Sequence, residues 1–296
     1  MHENNIRNVD IDTWVEKAHG NQTEFYIRRV MRVILLAVSS SSQLKGSMVI
    51  KGGVLLSLGY GTDRYTKDVD FSTPRMVDEE NPDEILDELN DALRATCREF
   101  DNELFCKTQK REIQPSRDST FPTLRVKVGY AVKGTKEFQR MMHNDRPSTK
   151  TVTIDLSFNE KVCFPSSITM DDHEINAYSL YDQVAEKYRA LIQQSETRRG
   201  RIRRQDVYDL FVILNHGLIQ SMEDKETILE VMQVKFASRG VECHSDVIME
   251  PDIRERARKE YSKLEDEIEN ELPDFEMAFE VVKEYFLHLP WDRSNS

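Results

Sequence analysis

The chain contains little cysteine and no cysteine or histidine arrangement that is typical of a structural metal centre. Its four cysteines, Cys97, Cys106, Cys163 and Cys243, are scattered through 296 residues without a Cys-x-x-Cys pair. The seven histidines include no His-Glu-x-x-His motif, and Cys243-His244 has no second pair at ligand spacing. A structural zinc site or a disulfide framework is therefore not expected.

Long apolar segments are also absent. The longest uninterrupted apolar run, residues 33–38, is far shorter than the roughly 20 residues that span a bilayer. The first residues, MHENNIRNVDIDTW, are polar and acidic and contain no apolar signal core. From the sequence we therefore expect a cytoplasmic protein with no membrane partner.

An excess of positive charge is missing as well, because the net charge is −12. This balance argues against a protein that coats nucleic acid without sequence preference. The positive charge is nevertheless clustered in one run, which consists of Arg198, Arg199, Arg201, Arg203 and Arg204. Such runs are most often solvated surface, and this one also fits a local groove for phosphates. Hydrophobic and charged contents of 39% and 32% are those of a folded globular chain.

The most informative segment is residues 51–70, KGGVLLSLGYGTDRYTKDVD. In an extended strand Asp68 and Asp70 point to the same side, with carboxylates about 7 Å apart. Paired carboxylates of this kind suit Mg²⁺, which prefers oxygen ligands. Gly52 and Gly53 have no Cβ, so the backbone N–H groups there can approach a phosphate closely. Together these features predict a protein that handles nucleotides.

Hydrophobic periodicity predicts an α/β part followed by a helical part. Alternating apolar residues predict half-buried strands at 124–130 and 152–158, with a polar hairpin or loop over 133–150 between them. Helices are predicted over 22–43, from Asn81-Pro82 onward, and over 180–194, 205–217, 222–237, 252–270 and 273–288. The simplest partition is a mixed lobe over residues 1–175 and a helical lobe over 176–296.

Asp155 lies on the polar side of the predicted strand 152–158. One interpretation is solvent exposure on the open face of an antiparallel sheet. The other is that Asp155 completes a group of three carboxylates with Asp68 and Asp70.

Four segments, KGG…RYTKDVDF, TIDLSF, AEKYRAL and RRQDVYDLF, occur in this order between residues 51 and 211. In this order they resemble the polymerase-beta-like nucleotidyltransferase superfamily, and in detail the AbiEii/AbiGii group of bacterial abortive-infection toxins. The resemblance implies an α+β fold with a nucleotidyltransferase core, followed by an all-helical domain that completes the active-site cleft. The last 80 or so residues carry no comparable match.

The resemblance also implies roles for individual residues. Mg²⁺ or Mn²⁺ would be bound by Asp68, Asp70 and Asp155. The catalytic group would comprise these three acids with Lys187 and Asp206. The nucleotide would be bound by Lys51, Gly52, Gly53, Arg64, Thr66, Lys187 and Asp209. The acceptor would be bound by Arg198, Arg199, Arg201, Arg203 and Arg204.

Each assignment has a simpler alternative when the residue is considered alone. Asp68 fits a turn, and Asp70 or Asp206 fits a helix cap. Lys187 fits a solvated helix lysine that pairs with an acid of its own helix. Arg64 fits a residue that only neutralises the Asp68–Asp70 pair.

Two residues depart from the family pattern. Val54 stands where a threonine usually follows the glycine pair, and Gln205 separates Arg204 from Asp206. Neither departure removes an acid.

The function implied by the resemblance is transfer of a nucleoside monophosphate from an NTP to an acceptor, with the tRNA 3′ end as the expected acceptor. A cognate antitoxin is the expected protein partner. Two other functions remain open, namely modification of a small molecule such as an aminoglycoside or of a protein side chain, and nucleotide binding without catalysis. The acidic net charge favours a cationic small molecule slightly.

Overall fold

The computed structural model describes residues 6–143, 145–195 and 203–293. The chain forms two units, of which the first contains the chain up to Gly59 together with Thr66–Ala177. The second contains Tyr60–Tyr65 and the chain from Tyr178 onward. The predicted α+β class, a mixed sheet with helices followed by a helical C-terminal part, is confirmed.

The strands of the described residues belong to one sheet of eight strands, in the order β1-β7-β8-β2-β3-β6-β5-β4. Their bounds are β1 (Ile6–Val9), β2 (Val49–Lys51), β3 (Asp68–Ser72), β4 (Leu104–Gln114), β5 (Thr123–Val132), β6 (Thr151–Ser157), β7 (Pro165–Met170) and β8 (His173–Tyr178). The β3–β6 pair is parallel, whereas β2–β3, β5–β6 and β4–β5 are antiparallel. The sheet is therefore mixed around β3 and β6.

The helices follow the order of the sequence. Those up to residue 143 are α1 (Ile11–Glu16), α2 (Gln22–Ser40), α3 (Ser42–Ser47), α4 (Gly52–Tyr60), α5 (Pro82–Phe100) and α6 (Lys136–His143). Those after residue 179 are α7 (Leu180–Gln193), α8 (Arg204–Asn215), α9 (Met222–Ser238), α10 (Pro251–Arg258) and α11 (Phe275–Leu287). None of the helices in the described residues is long and apolar enough to cross a membrane.

Local sequence explains where α5 begins and which side it buries. The side chain of Asn81 accepts a hydrogen bond from the backbone N–H of Asp83, and Pro82 occupies the first turn. The sequence predicts an apolar stripe of Ile85, Leu86, Leu89, Leu93 and Cys97, and all of these residues are buried except Leu86, which is partly buried. The helix contacts α2 and β4, so this stripe contributes to the core of the first unit.

The two faces of the sheet differ in polarity, and this difference positions the candidate site. Along β6 and along β5 up to Tyr130 the even-numbered residues are buried, whereas Arg125, Lys127, Thr153 and Asp155 are only partly buried. Side chains of a strand alternate between its two faces. The apolar face therefore belongs to the core, and the other face presents polar and charged groups.

Two predicted segments were wrong in part. Residues 133–150 contain helix α6, in which only Met141 is buried, although Phe138, Met141 and Met142 form a short apolar stripe at helical spacing. The helix predicted over 252–270 is interrupted, because α10 ends at Arg258 and a 3-10 helix follows over Tyr261–Glu267. Glu260 separates the two with a left-handed φ of 68°.

In its described residues the second unit consists of helices and an isolated bridge between Arg64 and Ile268. Helix α7 packs against α9, and α8 packs against α11. The hydroxyl of Tyr188 in α7 donates a hydrogen bond of 2.9 Å to the carbonyl of Val282 in α11. The backbone N–H of Tyr65 donates a bond of 2.6 Å to the carbonyl of Glu267, which holds residues 60–65 in this unit.

Candidate active site

Three acids lie on the polar face of the sheet, on neighbouring strands. Asp68 and Asp70 belong to β3, and Asp155 of β6 is the direct register partner of Asp70. In the same parallel pair, Val69 is the partner of Ile154, and both are buried on the core side. Register partners share a face, so the strands bring all three carboxylates to one side of the sheet.

The glycine pair lies directly beside Asp70. Gly52 is the first residue of α4 and has a left-handed φ of 72°. A Cβ atom at Gly52 would lie 2.4 Å from Oδ2 of Asp70, which no side chain tolerates without a shift. Glycine is therefore required here both for the backbone conformation and for the close approach of the carboxylate. Gly53 follows it and is buried in the first turn of the same helix.

Lys51 and Thr66 are placed next to the acids. Lys51 is the register partner of Asp70 on β2, and its Nζ lies 3.7 Å from Oε1 of Glu160. The hydroxyl of Thr66 accepts a hydrogen bond of 3.4 Å from the backbone N–H of Asp68. Thr66 thus fixes the start of β3, which carries the two acids.

The environment of Asp68 disfavours its charge. Burial raises the pKa of Asp68, and the nearby carboxylate of Asp155 adds to this effect, while a hydrogen bond from Thr153 opposes it. The positive charges of Arg125 and Lys67 also oppose the increase, so burial is the main cause of the raised pKa.

Sequence reasoning missed Arg125, which lies on β5 as the register partner of Asp155. Its Nε and Nη2 donate hydrogen bonds of 2.8 and 2.6 Å to the two oxygens of Asp155. These bonds raise the pKa of Arg125. The only signal in the sequence was the polar side of strand 124–130, which does not reveal the register with β6.

The second unit contains a separate cluster of buried charges. Lys187 of α7 donates hydrogen bonds of 3.2 Å to Oδ1 of Asp206 and 2.6 Å to Oδ2 of Asp209, both on α8. Arg64 donates through Nε and Nη2 to the two oxygens of Asp209, at 2.9 and 3.1 Å. Two cations therefore compensate the two acids that lie three residues apart on one helix face.

The pKa shifts in this cluster show strong mutual stabilisation. Burial alone would raise the pKa of Asp209, but Arg64 and Lys187 lower it. Burial alone would likewise lower the pKa of Lys187, but Asp209 and Asp206 raise it. Asp209 and Lys187 are thus both held in their charged forms by their partners.

The simpler alternatives for this cluster do not describe it. The Lys187 side chain is only 8% exposed, so it is not a solvated lysine. Asp182, a possible partner on its own helix, is paired with Lys235 at 3.1 Å. Asp206 is not a helix cap, since α8 begins after Arg203, and its Oδ2 is buried without a hydrogen-bond partner in the described residues.

The basic run is described only in part. Arg198, Arg199 and Arg201 lie outside the described residues. Arg204 forms ion pairs with Glu267 and, at 3.7 Å, with Glu260. The backbone N–H of Arg203 donates to the side-chain oxygen of Gln194 at 3.1 Å.

The donor set of the sheet face fits a divalent cation at Asp68 and Asp70, because both supply hard carboxylate oxygens beside a glycine bend. Asp155 differs, since both of its oxygens accept hydrogen bonds from Arg125. Consistent with this, no group of three or more His, Cys, Asp and Glu side chains in the described part of the chain is arranged to hold a metal ion. A site with three carboxylates therefore stays a prediction.

Comparison with known proteins identifies the family. The family model described as the nucleotidyl transferase AbiEii toxin of type IV toxin–antitoxin systems matches residues 34–281. A comparison with curated proteins finds no match.

Solved structures show the same fold at low sequence identity. JHP933 from Helicobacter pylori is 18% identical, with a TM-score of 0.54 over 93% of this chain and 95% of that chain. A second Helicobacter pylori structure, of a candidate nucleotidyltransferase, is 17% identical, with a TM-score of 0.52 over 93% of this chain and 98% of that chain. MenT4, a nucleotidyltransferase toxin from Mycobacterium tuberculosis, is 13% identical over 95% of this chain and 99% of that chain, with a TM-score of 0.44. Because the family model covers most of its length, the chain belongs to the AbiEii family of nucleotidyltransferase toxins.

Proposed function

We propose that this nucleotidyltransferase toxin transfers a nucleoside monophosphate from an NTP to the 3′ end of tRNA, in a reaction that depends on Mg²⁺ or Mn²⁺. The observation that carries the proposal is the polar face of the sheet. Asp68, Asp70 and Asp155 share that face, and the carboxylate of Asp70 lies against Gly52 at the start of a helix. A cognate antitoxin accompanies a toxin of this family.

Asp68 and Asp70 would hold the divalent ion. When bound, such an ion neutralises charge on the phosphate oxygens during transfer. The raised pKa of Asp68 supports this assignment, because burial disfavours the charge of this carboxylate and a bound cation would compensate it. Asp155 would support the site from the adjacent strand.

Gly52, Gly53 and Lys51 would bind the phosphates. The first N–H groups of a helix point outward and attract anions, and α4 begins at Gly52. Lys51 shares the face of Asp70 and adds positive charge at this end of the face.

We assign Lys187 and Asp206 to the same reaction on the basis of the motif order. Asp209 and Arg64 would hold Lys187 in place, since Asp209 accepts hydrogen bonds from both cations. Within the described residues Oδ2 of Asp206 is buried without a hydrogen-bond partner, which supports a functional role, because such an atom costs about 1–3 kcal/mol.

The acceptor assignment rests on the family resemblance and on the basic run over residues 198–204. The double variant Arg201→Ala, Arg203→Ala should label tRNA more weakly, and this labelling should depend less on salt concentration. NTP binding should not change. Equal losses in both measurements would show that these arginines serve the nucleotide or the fold.

The function is tested with purified protein, Mg²⁺ and each of the four NTPs labelled at the α-phosphate. Parallel reactions contain total tRNA, aminoglycosides or cell protein. Label in tRNA is expected, and tRNA whose 3′-terminal ribose has been oxidised with periodate should stay unlabelled. Label found only in an aminoglycoside or in protein would show that this molecule, and not tRNA, is the acceptor. NTP binding without any transfer would indicate an inactive module.

The double variant Asp68→Ala, Asp70→Ala should abolish transfer and growth inhibition. Its matched control is Asp87→Ala, Glu99→Ala, which removes two exposed acids from α5 in the same unit. Unchanged labelling by the first variant would refute the proposed site.

A further inference from the structure

One row of charged side chains crosses five adjacent strands. Lys51 on β2 is the register partner of Asp70 on β3, Asp70 is the partner of Asp155 on β6, and Asp155 is the partner of Arg125 on β5. Arg125 is in turn the register partner of Glu112 on β4. Neighbouring strands are roughly 4.8 Å apart, so each side chain can reach the next. Two carboxylates therefore lie between two cations on the polar face.

The two cations of this row differ in geometry. Lys51 lies 3.7 Å from Glu160, a loose ion pair. Arg125 instead holds both oxygens of Asp155 in a bidentate pair, at 2.8 and 2.6 Å. This is the strong arrangement of a guanidinium with a carboxylate. A metal ion that bound Asp155 as well would be repelled by the guanidinium on the same carboxylate.

Arg125 retains donors for a second anion. Two of the five guanidinium N–H groups bind Asp155, and no hydrogen bond of the other three is seen in the described residues. The carboxylates of Asp68 and Glu112 lie near this guanidinium and help to raise its pKa, so a phosphate would share it with acids of the sheet face. Its side chain is 34% exposed, whereas that of Asp155 is 16% exposed. A planar guanidinium that is fixed on one edge and accessible on the other is well suited to bind phosphate.

We propose that Arg125 binds a phosphate of the NTP and that Asp155 is its positioning residue rather than a third metal ligand. This inference rests on the proposed function, because it assumes that the polar face receives a nucleotide. Asp155 fixes the direction of the guanidinium, which lowers the entropy that Arg125 loses when it binds the phosphate. The metal then depends on Asp68 and Asp70.

The test separates phosphate binding from metal binding, and neither measurement requires transfer. Binding of inorganic tripolyphosphate is measured by calorimetry in EDTA, and binding of Mn²⁺ is measured by electron paramagnetic resonance without nucleotide. Arg125→Gln should weaken tripolyphosphate binding by about 10- to 100-fold, the usual effect of losing hydrogen bonds to a charged group. Arg125→Lys should bind with intermediate affinity.

Asp155→Asn should give a smaller loss of tripolyphosphate affinity and leave Mn²⁺ binding unchanged, whereas Asp68→Asn should lose Mn²⁺ binding. The double variant Arg125→Gln, Asp155→Asn should bind tripolyphosphate no worse than Arg125→Gln, because Asp155 acts through Arg125. This double variant also replaces the ion pair by a neutral pair, so it remains testable if a single variant does not fold. Lys127→Gln is the matched control, since Lys127 lies two residues along β5 on the same face.

Three outcomes would overturn the proposal. A loss of Mn²⁺ affinity in Asp155→Asn as large as that in Asp68→Asn would make Asp155 a metal ligand. Equal tripolyphosphate binding by Arg125→Gln and Lys127→Gln would reduce Arg125 to a cross-strand structural pair or a general positive charge. If the wild type binds neither probe, the proposed function itself fails, which is distinguishable from a failure of Arg125 alone.

Discussion

Replacing Gly52 by alanine tests the close approach between the glycine bend and the acids. A Cβ atom at this position would lie 2.4 Å from Oδ2 of Asp70 and 3.1 Å from its Cγ. An ordinary van der Waals contact begins at 3.4 Å, so the carboxylate must move by about 1 Å or the bend must shift. The left-handed φ of 72° adds about 1–2 kcal/mol of strain for any residue with a Cβ atom.

The strain and the displacement have different consequences. A shift of about 1 Å in a catalytic group can lower the rate about 100-fold, so we expect this loss in kcat/KM for Gly52→Ala. Gly134→Ala is the matched control, because Gly134 has a φ of 84° and a Cβ atom there would meet nothing within 4 Å. Both variants should lose about 1–2 kcal/mol in the free energy of unfolding, measured with urea. Transfer of label from the NTP should fall only in Gly52→Ala.

Wild-type transfer by a folded Gly52→Ala protein would refute the reasoning, because Asp70 would then not need its observed position. Similar losses of transfer in both variants would mean that stability, rather than the contact with Asp70, limits activity.

Further predictions concern the acids of the two units. Burial and Asp155 raise the pKa of Asp68 above 3.8, so the folded protein retains a proton that the unfolded chain loses. The free energy of unfolding therefore falls as pH rises from 3.8 through the raised pKa. Asp68→Asn should therefore raise the Tm at pH 7 in EDTA and abolish stabilisation by added Mn²⁺; an unchanged Tm would contradict the shift. Asp209→Asn should lower the free energy of unfolding, measured with urea, by roughly 3–5 kcal/mol, because it leaves Lys187 and Arg64 buried without a full partner. A smaller loss in Asp209→Asn than in Asp206→Asn would contradict this explanation. Because its pKa is lowered, Asp209 stabilises the folded protein above pH 3.8, and this stabilisation is lost as pH falls through the lower pKa of the folded state. Because its pKa is raised, Lys187 stabilises the folded protein below pH 10.5, and this stabilisation is lost as pH rises through the pKa of the folded state. Asp209→Asn weakens both effects and should therefore flatten the pH dependence of Tm at low and at high pH.

Much of the fold follows from local patterns, and the exceptions have physical reasons. Alternation predicted β5 and β6 and the side on which Asp155 lies, because each strand has one buried face. The edge strand β4 was not predicted, since its outer half is exposed and a register shift after Thr108 interrupts the alternation. Helix α6 was missed because its apolar stripe of Phe138, Met141 and Met142 covers little more than one turn of a mostly polar segment. Local patterns are informative only where an element buries a continuous face.

The candidate site shows a different limit. The glycine pair and Asp-x-Asp could be recognised because they are contiguous, and the order of the motifs indicated Lys187 and Asp206. The partner of Arg64 could not be deduced, since Asp209 lies 145 residues away and the contact depends on tertiary structure. Arg125 was missed for the same reason, because its role depends on the register between β5 and β6.

The opposite pKa shifts of Asp68 and Asp209 distinguish the two groups of acids. Both residues are removed from water, which alone raises the pKa of a carboxylate. Around Asp209, Arg64 and Lys187 outweigh this effect, so the acid already has its cations and a metal ion would have to displace them. Around Asp68, Arg125 and Lys67 lower the pKa but do not outweigh burial and the neighbouring Asp155, so a divalent cation would supply compensation that the protein itself does not. Although both units carry paired aspartates, the balance of charge therefore favours the sheet face as the metal site and leaves the helical cluster to hold Lys187 in a fixed position.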